Sequence, residues 1–350
     1  MKKGKLSRPR FFVGSCSILF FLLGFLITSA VQAEPIQLNF YSSNIPLKSG
    51  RFINCYQPWF KSIEKVTNGA VKINILPKYK DEIADDYRGI LTGDLDLSMI
   101  PAVGMPQFPL TMTLGLPGAG FKDTKMASFV AWNIYKKIPE IQKEFDQVQV
   151  LFAHAYAPMV VAAKDKPVRR PKDLSGLKTW ILPPDQGIVE GAGGNYVTCP
   201  LPQAGAQMEA GKIEAFIVGW EGQSAFGGNK AARFFAEVPA FGGPSFFIVM
   251  NKAKWKALPA EVQQAILSVS GDKASRMFAE GDAISTEKAK EFLRSQGDKK
   301  IIALTPGEEA QWIELVKPFK EKKIGATEAK GLPARAVFNE MVQLVNQYKP

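Results

Sequence analysis

Apolar and polar residues alternate over residues 36–41, as they do in a strand with one buried face. The next segment has helical spacing and ends at Asn68-Gly69, a typical helix stop, and its apolar face consists of Trp59, Phe60, Ile63 and Val66. Further strands are predicted at 71–76 and 95–100, with a helix around 87–91 between them. This β-α-β-α-β order predicts a parallel sheet covered by helices.

A second alternating series begins near residue 178 and predicts a second sheet. Its strands are predicted at 178–182, 196–199 and 215–218. Two more strands are predicted before it, at 148–152 and 159–163, and one after it, at 245–250. Helices are predicted around 187–192, 204–210, 259–296, 306–322 and 333–348. An unbroken helix over 259–296 would be about 57 Å long and would reach two lobes. Gly271 and Gly281 are its expected bends.

This pattern predicts an α/β protein with two lobes, a cleft between them and a long helix that bridges them. We expect a signal peptide over 1–33, lobe I over 34–156 and lobe II over 157–244. Residues 245–350 then hold a returning strand, the bridging helix and C-terminal helices that the two lobes share.

The first 33 residues predict export. Five basic and no acidic residues precede an apolar run over 11–27, and Val31 and Ala33 are the small residues that a signal peptidase requires before Glu34. The alternative is a retained N-terminal anchor. We expect cleavage and a periplasmic location. Cleavage removes five of the 44 basic residues and none of the 33 acidic ones, so the formal net charge falls from +11 to +6.

Composition excludes several other classes of protein. With 350 residues, 46% of them hydrophobic, and a mean hydropathy of −0.05, the chain is not a collagen, a coiled coil or a multi-span membrane protein. Cys55 and Cys199 remain after cleavage and form either a disulfide or two buried thiols. The one histidine, His154, lies among apolar strand residues and is expected to be structural.

Common catalytic motifs are absent from the sequence. It contains no G-x-S-x-G, H-E-x-x-H, C-x-x-C or G-x-G-x-x-G pattern. We therefore expect no enzyme, no catalytic residue, no cofactor and no metal. Scattered lysines in an exported protein do not favour a nucleic-acid partner.

Several motifs in a fixed order resemble the solute-binding proteins of tripartite ATP-independent periplasmic (TRAP) transporters, of the DctP type. The resemblance covers most of residues 36–320, and the matching segments are 60–72, 93–97, 166–168, 171–178, 208–214, Asn251 and 255–263. It implies a class II-like periplasmic binding protein that captures a small organic acid and delivers it to the membrane permease subunits of a TRAP transporter. We expect a monomer.

One position departs from the family pattern. The family usually has an arginine that clamps the ligand carboxylate two residues after Gly176-Leu177-Lys178, whereas this chain has Trp180 there. An indole offers one N–H donor and a large apolar face. We therefore expect Trp180 to bind an aromatic, apolar or less acidic solute, or to hold a cation; the alternative is a core tryptophan.

Residues at the ends of predicted strands are further candidates for ligand contact, because open α/β sheets bind ligands there. They are Tyr41, Asn44, Tyr156, Leu201, Trp220 and Phe247. For each of them, packing in the core or hinge is the alternative. Arg51 or Glu221 would supply the missing charge, and the sequence does not decide between them. Two other functions stay open: a binding subunit of another uptake or sensing system, and a periplasmic hydrolase.

Overall fold

The computed structural model describes Met1, Gly4 and residues 34–43, 45–80 and 83–349. Apart from Met1 and Gly4, the predicted signal peptide lies outside the described residues. By their internal contacts, the described residues from Pro35 onward form one unit. None of the helices in the described ranges is both long enough and apolar enough to cross a bilayer.

Eleven strands of the described residues form two sheets. They are β1 Ile36–Phe40, β2 Val71–Ile75, β3 Leu97–Pro101, β4 Val148–Ala155, β5 Met159–Ala163, β6 Lys178–Ile181, β7 Asn195–Tyr196, β8 Ala215–Gly219, β9 Phe234–Val238, β10 Ser245–Asn251 and β11 Lys300–Ile302. The nine strands predicted from alternation are all present, with ends that differ by a few residues.

The first sheet has the strand order β2-β1-β3-β10-β4. β1 pairs parallel with β2 and β3, as the sequence predicts, but β10 runs antiparallel to both β3 and β4. The predicted parallel arrangement of β1, β2 and β3 is therefore confirmed, and β10, which returns from the second lobe in the opposite direction, makes the sheet mixed. All seven residues of β10 are buried, as expected for a strand inside a sheet that is covered on both faces.

The second sheet has the strand order β11-β9-β5-β8-β6-β7. β6 pairs parallel with β7 and β8, whereas β5 lies antiparallel between β8 and β9. Sequence analysis missed β9 and β11, because β9 lacks clear alternation and β11 has only three residues. β11 pairs parallel with β9, so the chain returns to the second sheet after its long helix.

Thirteen helices of the described residues surround the sheets. They are α1 Gln57–Val66, α2 Ile83–Thr92, α3 Thr124–Lys137, α4 Pro139–Glu144, α5 Gln186–Gly191, α6 Ala204–Glu209, α7 Trp220–Ala225, α8 Gly228–Ala231, α9 Lys252–Ala257, α10 Ala260–Ser268, α11 Gly271–Ser295, α12 Pro306–Glu328 and α13 Ala334–Gln347. A π-helical turn, Phe52–Tyr56, leads directly into α1.

The long helix predicted over 259–296 is two helices, α10 and α11. They separate next to Gly271, whose φ of +57° confirms one expected bend. Gly281 does not interrupt α11, and a Cβ there would come within 2.3 Å of the Asn54 carbonyl oxygen. Glycine thus allows α11 to pack closely on the π-helical turn. With 25 residues, about 37 Å, α11 contacts α3 and β4 on one side and α7 and β11 on the other, so it bridges the two lobes.

Candidate functional site

A cavity of about 230 Å³ is lined by residues of both lobes. The first sheet contributes Met99, Pro101 and Phe246, and the second sheet contributes Val218. The other lining residues lie in loops, turns and helix ends: Arg51, Ala84, Val103, Gly104, Met105, Tyr156, Leu182, Pro183, Leu201, Gly222, Phe226 and Pro244. Pro101 ends β3, and Val218 lies near the end of β8. The cavity therefore lies at the carboxyl ends of these strands, where open α/β sheets bind ligands.

Arg51 forms a buried ionic cluster at this cavity. Its side chain is only 9% exposed, and its Nε and Nη2 both donate to Asp282 Oδ1, at 3.1 and 2.9 Å. Glu221 Oε2 lies 3.7 Å from Nη2, and Glu221 Oε1 accepts a hydrogen bond from the Arg51 backbone N–H at 3.3 Å. Thr124 donates to the other oxygen of Asp282 at 3.0 Å. Since Glu221 lies on α7 and Asp282 on α11, the cluster ties the two lobes to the bridging helix.

Two aromatic rings cover the guanidinium of Arg51. Its Cζ lies 4.6 Å from the ring centroid of Tyr156 and 5.7 Å from that of Phe246, distances that favour cation–π attraction. Burial alone would lower the pKa of Arg51, but Asp282 and Glu221 raise it above its ordinary value. Burial raises the pKa of Tyr156. At neutral pH the cavity wall thus combines a charged guanidinium with a neutral phenol.

The Arg51 guanidinium has more donors than its bonds to Asp282 engage. A guanidinium has about five N–H donors, and the hydrogen bonds to Asp282 engage only Nε and Nη2. Among the described residues, Nη1 has no hydrogen-bond partner. It is also not one of the buried polar atoms that solvent cannot reach. Arg51 is also the only charged residue among the described residues that line the cavity. The site therefore has mostly apolar walls and one charged donor, the guanidinium of Arg51.

Trp180 lies elsewhere, in the core of the second sheet. It is 1% exposed, its ring packs edge-on against Phe216 at 5.2 Å, and its Nε1 donates to the Cys199 carbonyl oxygen at 3.0 Å. Trp180 does not line the cavity; Leu182, two residues further along, lines it instead. The structure thus places Trp180 in the core, as in the alternative interpretation of this position, with its one N–H donor engaged within the protein.

Two of the other predicted residues, Tyr156 and Leu201, line the cavity together with Arg51. Trp220 is buried on α7, where it donates to Glu237 and stacks on Phe235. Phe247 is buried in the first sheet, with its ring 4.4 Å from that of Phe145.

The two remaining candidates belong to the first connection of the chain. Tyr41 borders a separate cavity of about 260 Å³, and its hydroxyl donates to the Lys80 carbonyl oxygen. Asn44 lies outside the described residues.

Sequence reasoning missed most of the apolar lining. Met99, Met105, Val218, Phe226 and Phe246 were not among its candidates, although Phe246 is the neighbour of the predicted Phe247. Successive strand residues point to opposite faces, so an error of one residue exchanges the cavity face for the core face. The order of the strands in the sheet would have been needed to choose the face.

The two cysteines and the histidine are the remaining residues that the sequence singled out. Cys55 and Cys199 are both free thiols, so the disulfide alternative is wrong. Cys55 is buried and donates to the Phe278 carbonyl oxygen. His154 is buried with its ring stacked on Phe246 at 5.3 Å, and burial, followed by the charge of Arg51, lowers its pKa well below the usual value. His154 is therefore neutral and part of the core.

The sequence matches a known family and a curated protein. The model of the DctP family, bacterial extracellular solute-binding protein, family 7, matches residues 46–325. The outer membrane transporter protein TsaT of Comamonas testosteroni is 26% identical over 250 residues, which are 66% of this chain and 69% of TsaT.

The fold is similar to that of solved solute-binding proteins. A TRAP solute binding protein from Rhodoferax ferrireducens T118, in complex with copurified benzoate, has a TM-score of 0.82 and 20% identity over 89% of this chain and 98% of its own. A TRAP periplasmic solute binding protein from Bordetella bronchiseptica, with bound (R)- and (S)-mandelate, has a TM-score of 0.80 and 21% identity over 89% of this chain and 99% of its own. These likenesses show that the chains share a fold.

Proposed function

Because the chain belongs to bacterial extracellular solute-binding protein family 7, whose model matches residues 46–325, we propose that it captures a small organic acid and delivers it to the membrane permease of a TRAP transporter. The solute has an aromatic or apolar body and one carboxylate. The observation that carries this proposal is the cavity between the lobes, with apolar walls and Arg51 as the one charged residue among its described lining residues.

The size of the cavity supports a solute with one ring. An apolar protein cavity of about 150 Å³ can hold a benzene molecule, and the cavity here measures about 230 Å³. The difference leaves room for a carboxylate and a small substituent. Benzoate and mandelate, which the two solved relatives hold, are of this size class.

Capture requires no chemical step. Both lobes contribute walls to the cavity, so a solute that touches Val218 and Phe246 together stabilises the closed arrangement of the lobes. The closed surface is then what the permease recognises. We propose that the protein works as a monomer in the periplasm after cleavage before Glu34, and that it is not an enzyme.

Calorimetry on protein purified from the periplasm tests the proposed solute class. We expect benzoate and (R)-mandelate to bind with a Kd of about 1 μM or tighter, about 8 kcal/mol. Terephthalate should bind more than about 100-fold more weakly, because its second carboxylate would be buried without a counter-ion. Cyclohexanecarboxylate is the control for ring aromaticity and should bind within about tenfold of benzoate, since apolar burial dominates.

Two outcomes would contradict the proposal. Binding of terephthalate as tight as that of benzoate would show that the part of the cavity away from Arg51 is not apolar. No heat with any aromatic or alicyclic acid, together with no small molecule released from the denatured protein in native mass spectrometry, would exclude this solute class.

A further inference from the structure

We infer that Arg51 binds the carboxylate of the solute through Nη1, and so takes the role that the family usually gives to an arginine at the position of Trp180. This inference rests on the proposed function, since it assumes an acidic solute. It assigns the anion site to the segment before the π-helical turn in the first lobe, instead of to β6 in the second.

The hydrogen bonds of Arg51 fix the orientation of its guanidinium. Nε and Nη2 both donate to the same oxygen of Asp282, and two hydrogen bonds on one planar group restrict its rotation. Thr124 holds the other oxygen of that carboxylate, and Tyr156 lies against the guanidinium face. Nη1 is therefore preorganised, and a solute pays little ordering entropy to meet it.

Among the described side chains that line the cavity, the hydroxyl of Tyr156 is the other donor without a hydrogen-bond partner, and it is uncharged. The donors of three neighbouring core residues are engaged or buried. Trp180 Nε1 donates to the Cys199 carbonyl oxygen, and Trp220 Nε1 donates to Glu237. His154 is a neutral core residue whose Nε2 is buried without access. Among the described residues that line the cavity, a carboxylate thus has one cationic partner, which is Arg51.

The resident carboxylates limit the strength of this contact. Glu221 and Asp282 bring two negative charges to the one positive charge of Arg51, so the cluster carries a net charge of −1 when both are ionised. A solute carboxylate gains the hydrogen bonds of Nη1 and meets repulsion from these two groups. We expect the carboxylate to improve affinity by about 10- to 100-fold over a neutral amide, the range for one hydrogen bond to a charged group.

A pair of variants and a pair of ligands test the assignment. Wild-type protein should bind benzoate at least about tenfold more tightly than benzamide. The double variant R51Q/D282N removes the guanidinium with the carboxylate it holds and leaves the net charge of the cluster unchanged. It should bind benzoate and benzamide within about twofold of each other.

Arg169→Gln is the matched control, since it removes another arginine that holds a carboxylate, Glu308, away from the cavity lining. It should keep the full preference for benzoate. A folded R51Q/D282N protein that keeps this preference would overturn the inference and leave the proposed function intact. Failure of wild-type protein to bind any aromatic acid would overturn both.

A measurement on wild-type protein covers the case in which the double variant does not fold. In a crystal structure with 4-iodobenzoate, we expect a carboxylate oxygen about 2.9 Å from Arg51 Nη1. The anomalous signal of iodine identifies the opposite end of the ring without ambiguity. A carboxylate that lies on any other residue would overturn the assignment.

Discussion

Trp180 and Arg51 are both planar, nearly buried side chains with N–H donors, and they belong to different lobes. Trp180 has one donor, and the Cys199 carbonyl oxygen accepts from it. Arg51 has about five donors, and its bonds to Asp282 leave Nη1 without a partner among the described residues. Burial alone therefore does not identify a ligand-binding residue. The number of donors left after internal hydrogen bonds are formed is more informative.

The neighbours of the two residues also differ, since those of Trp180 are apolar and those of Arg51 are charged. Trp180 packs on apolar residues of the second sheet such as Phe216 and contacts no charged group of the described residues there. Arg51 is held by two carboxylates, which could not stay buried without it. One residue therefore stabilises a core, and the other stabilises charges beside a cavity.

Loss of Asp282 should have the largest effect on stability. Asp282→Ala leaves the Arg51 guanidinium buried with its main partner removed, so we expect the free energy of unfolding to fall by about 3–5 kcal/mol. Urea denaturation measures this change. Asp272→Ala on the same helix is the control, because the Asp272–Lys136 pair is exposed and should contribute less than about 1 kcal/mol. Equal losses in the two variants would mean that the cluster is not a buried ion pair in solution.

Trp180→Phe should have an intermediate effect, and on stability only. It removes the hydrogen bond to Cys199 and part of the ring volume, which costs about 1–3 kcal/mol of unfolding free energy. Benzoate affinity should stay within about threefold of wild type, because apolar walls such as Leu182 remain in place. Trp312→Phe is the control: Trp312 is equally buried, and its Nε1 donates to the Arg169 carbonyl oxygen.

A tenfold or larger loss of benzoate affinity in Trp180→Phe alone would contradict this comparison. It would restore Trp180 as a ligand-binding residue and place the solute deeper in the second lobe.

The smallest effect on stability is expected for the Arg169–Glu308 pair, an ion pair that is more exposed than the Arg51 cluster. Arg169 holds Glu308 at the start of α12, and its hydrogen bonds lower the pKa of Glu308 from 4.5 to about 2. A carboxyl group with a lowered pKa in the folded state stabilises the protein above its unfolded pKa, and this contribution is lost as the pH falls toward 2. Glu308→Gln should therefore lower Tm slightly at pH 7 and leave it unchanged near pH 2.

Glu309→Gln serves as the control for Glu308→Gln, because Glu309 lies in the same first turn of α12. Its substitution should change Tm less at pH 7. A Tm difference between Glu308→Gln and wild type that persists near pH 2 would show that the pair does not act through ionisation.

Most of the strands could be predicted from the sequence because each has its own period-two pattern. Which face of a strand meets the cavity could not be predicted, since that depends on the neighbouring strands. Phe246 lines the cavity, whereas Phe247, the next residue of β10, is buried in the core against Phe145. The sequence could not decide between Arg51 and Glu221 as the charged residue of the site for a similar reason. The two residues are distant in sequence and meet only through the fold.

The position of β10 has a consequence for the order in which the protein can fold. β10 lies between β3 and β4, yet the whole second-lobe segment from β5 to β9 is synthesised before it. A nascent chain therefore cannot close its first sheet until residue 251 has left the ribosome, and until then β3 and β4 each have an unpaired edge. A chain shortened before Ser245 should not retain a folded first lobe, even though it contains four of that lobe's five strands.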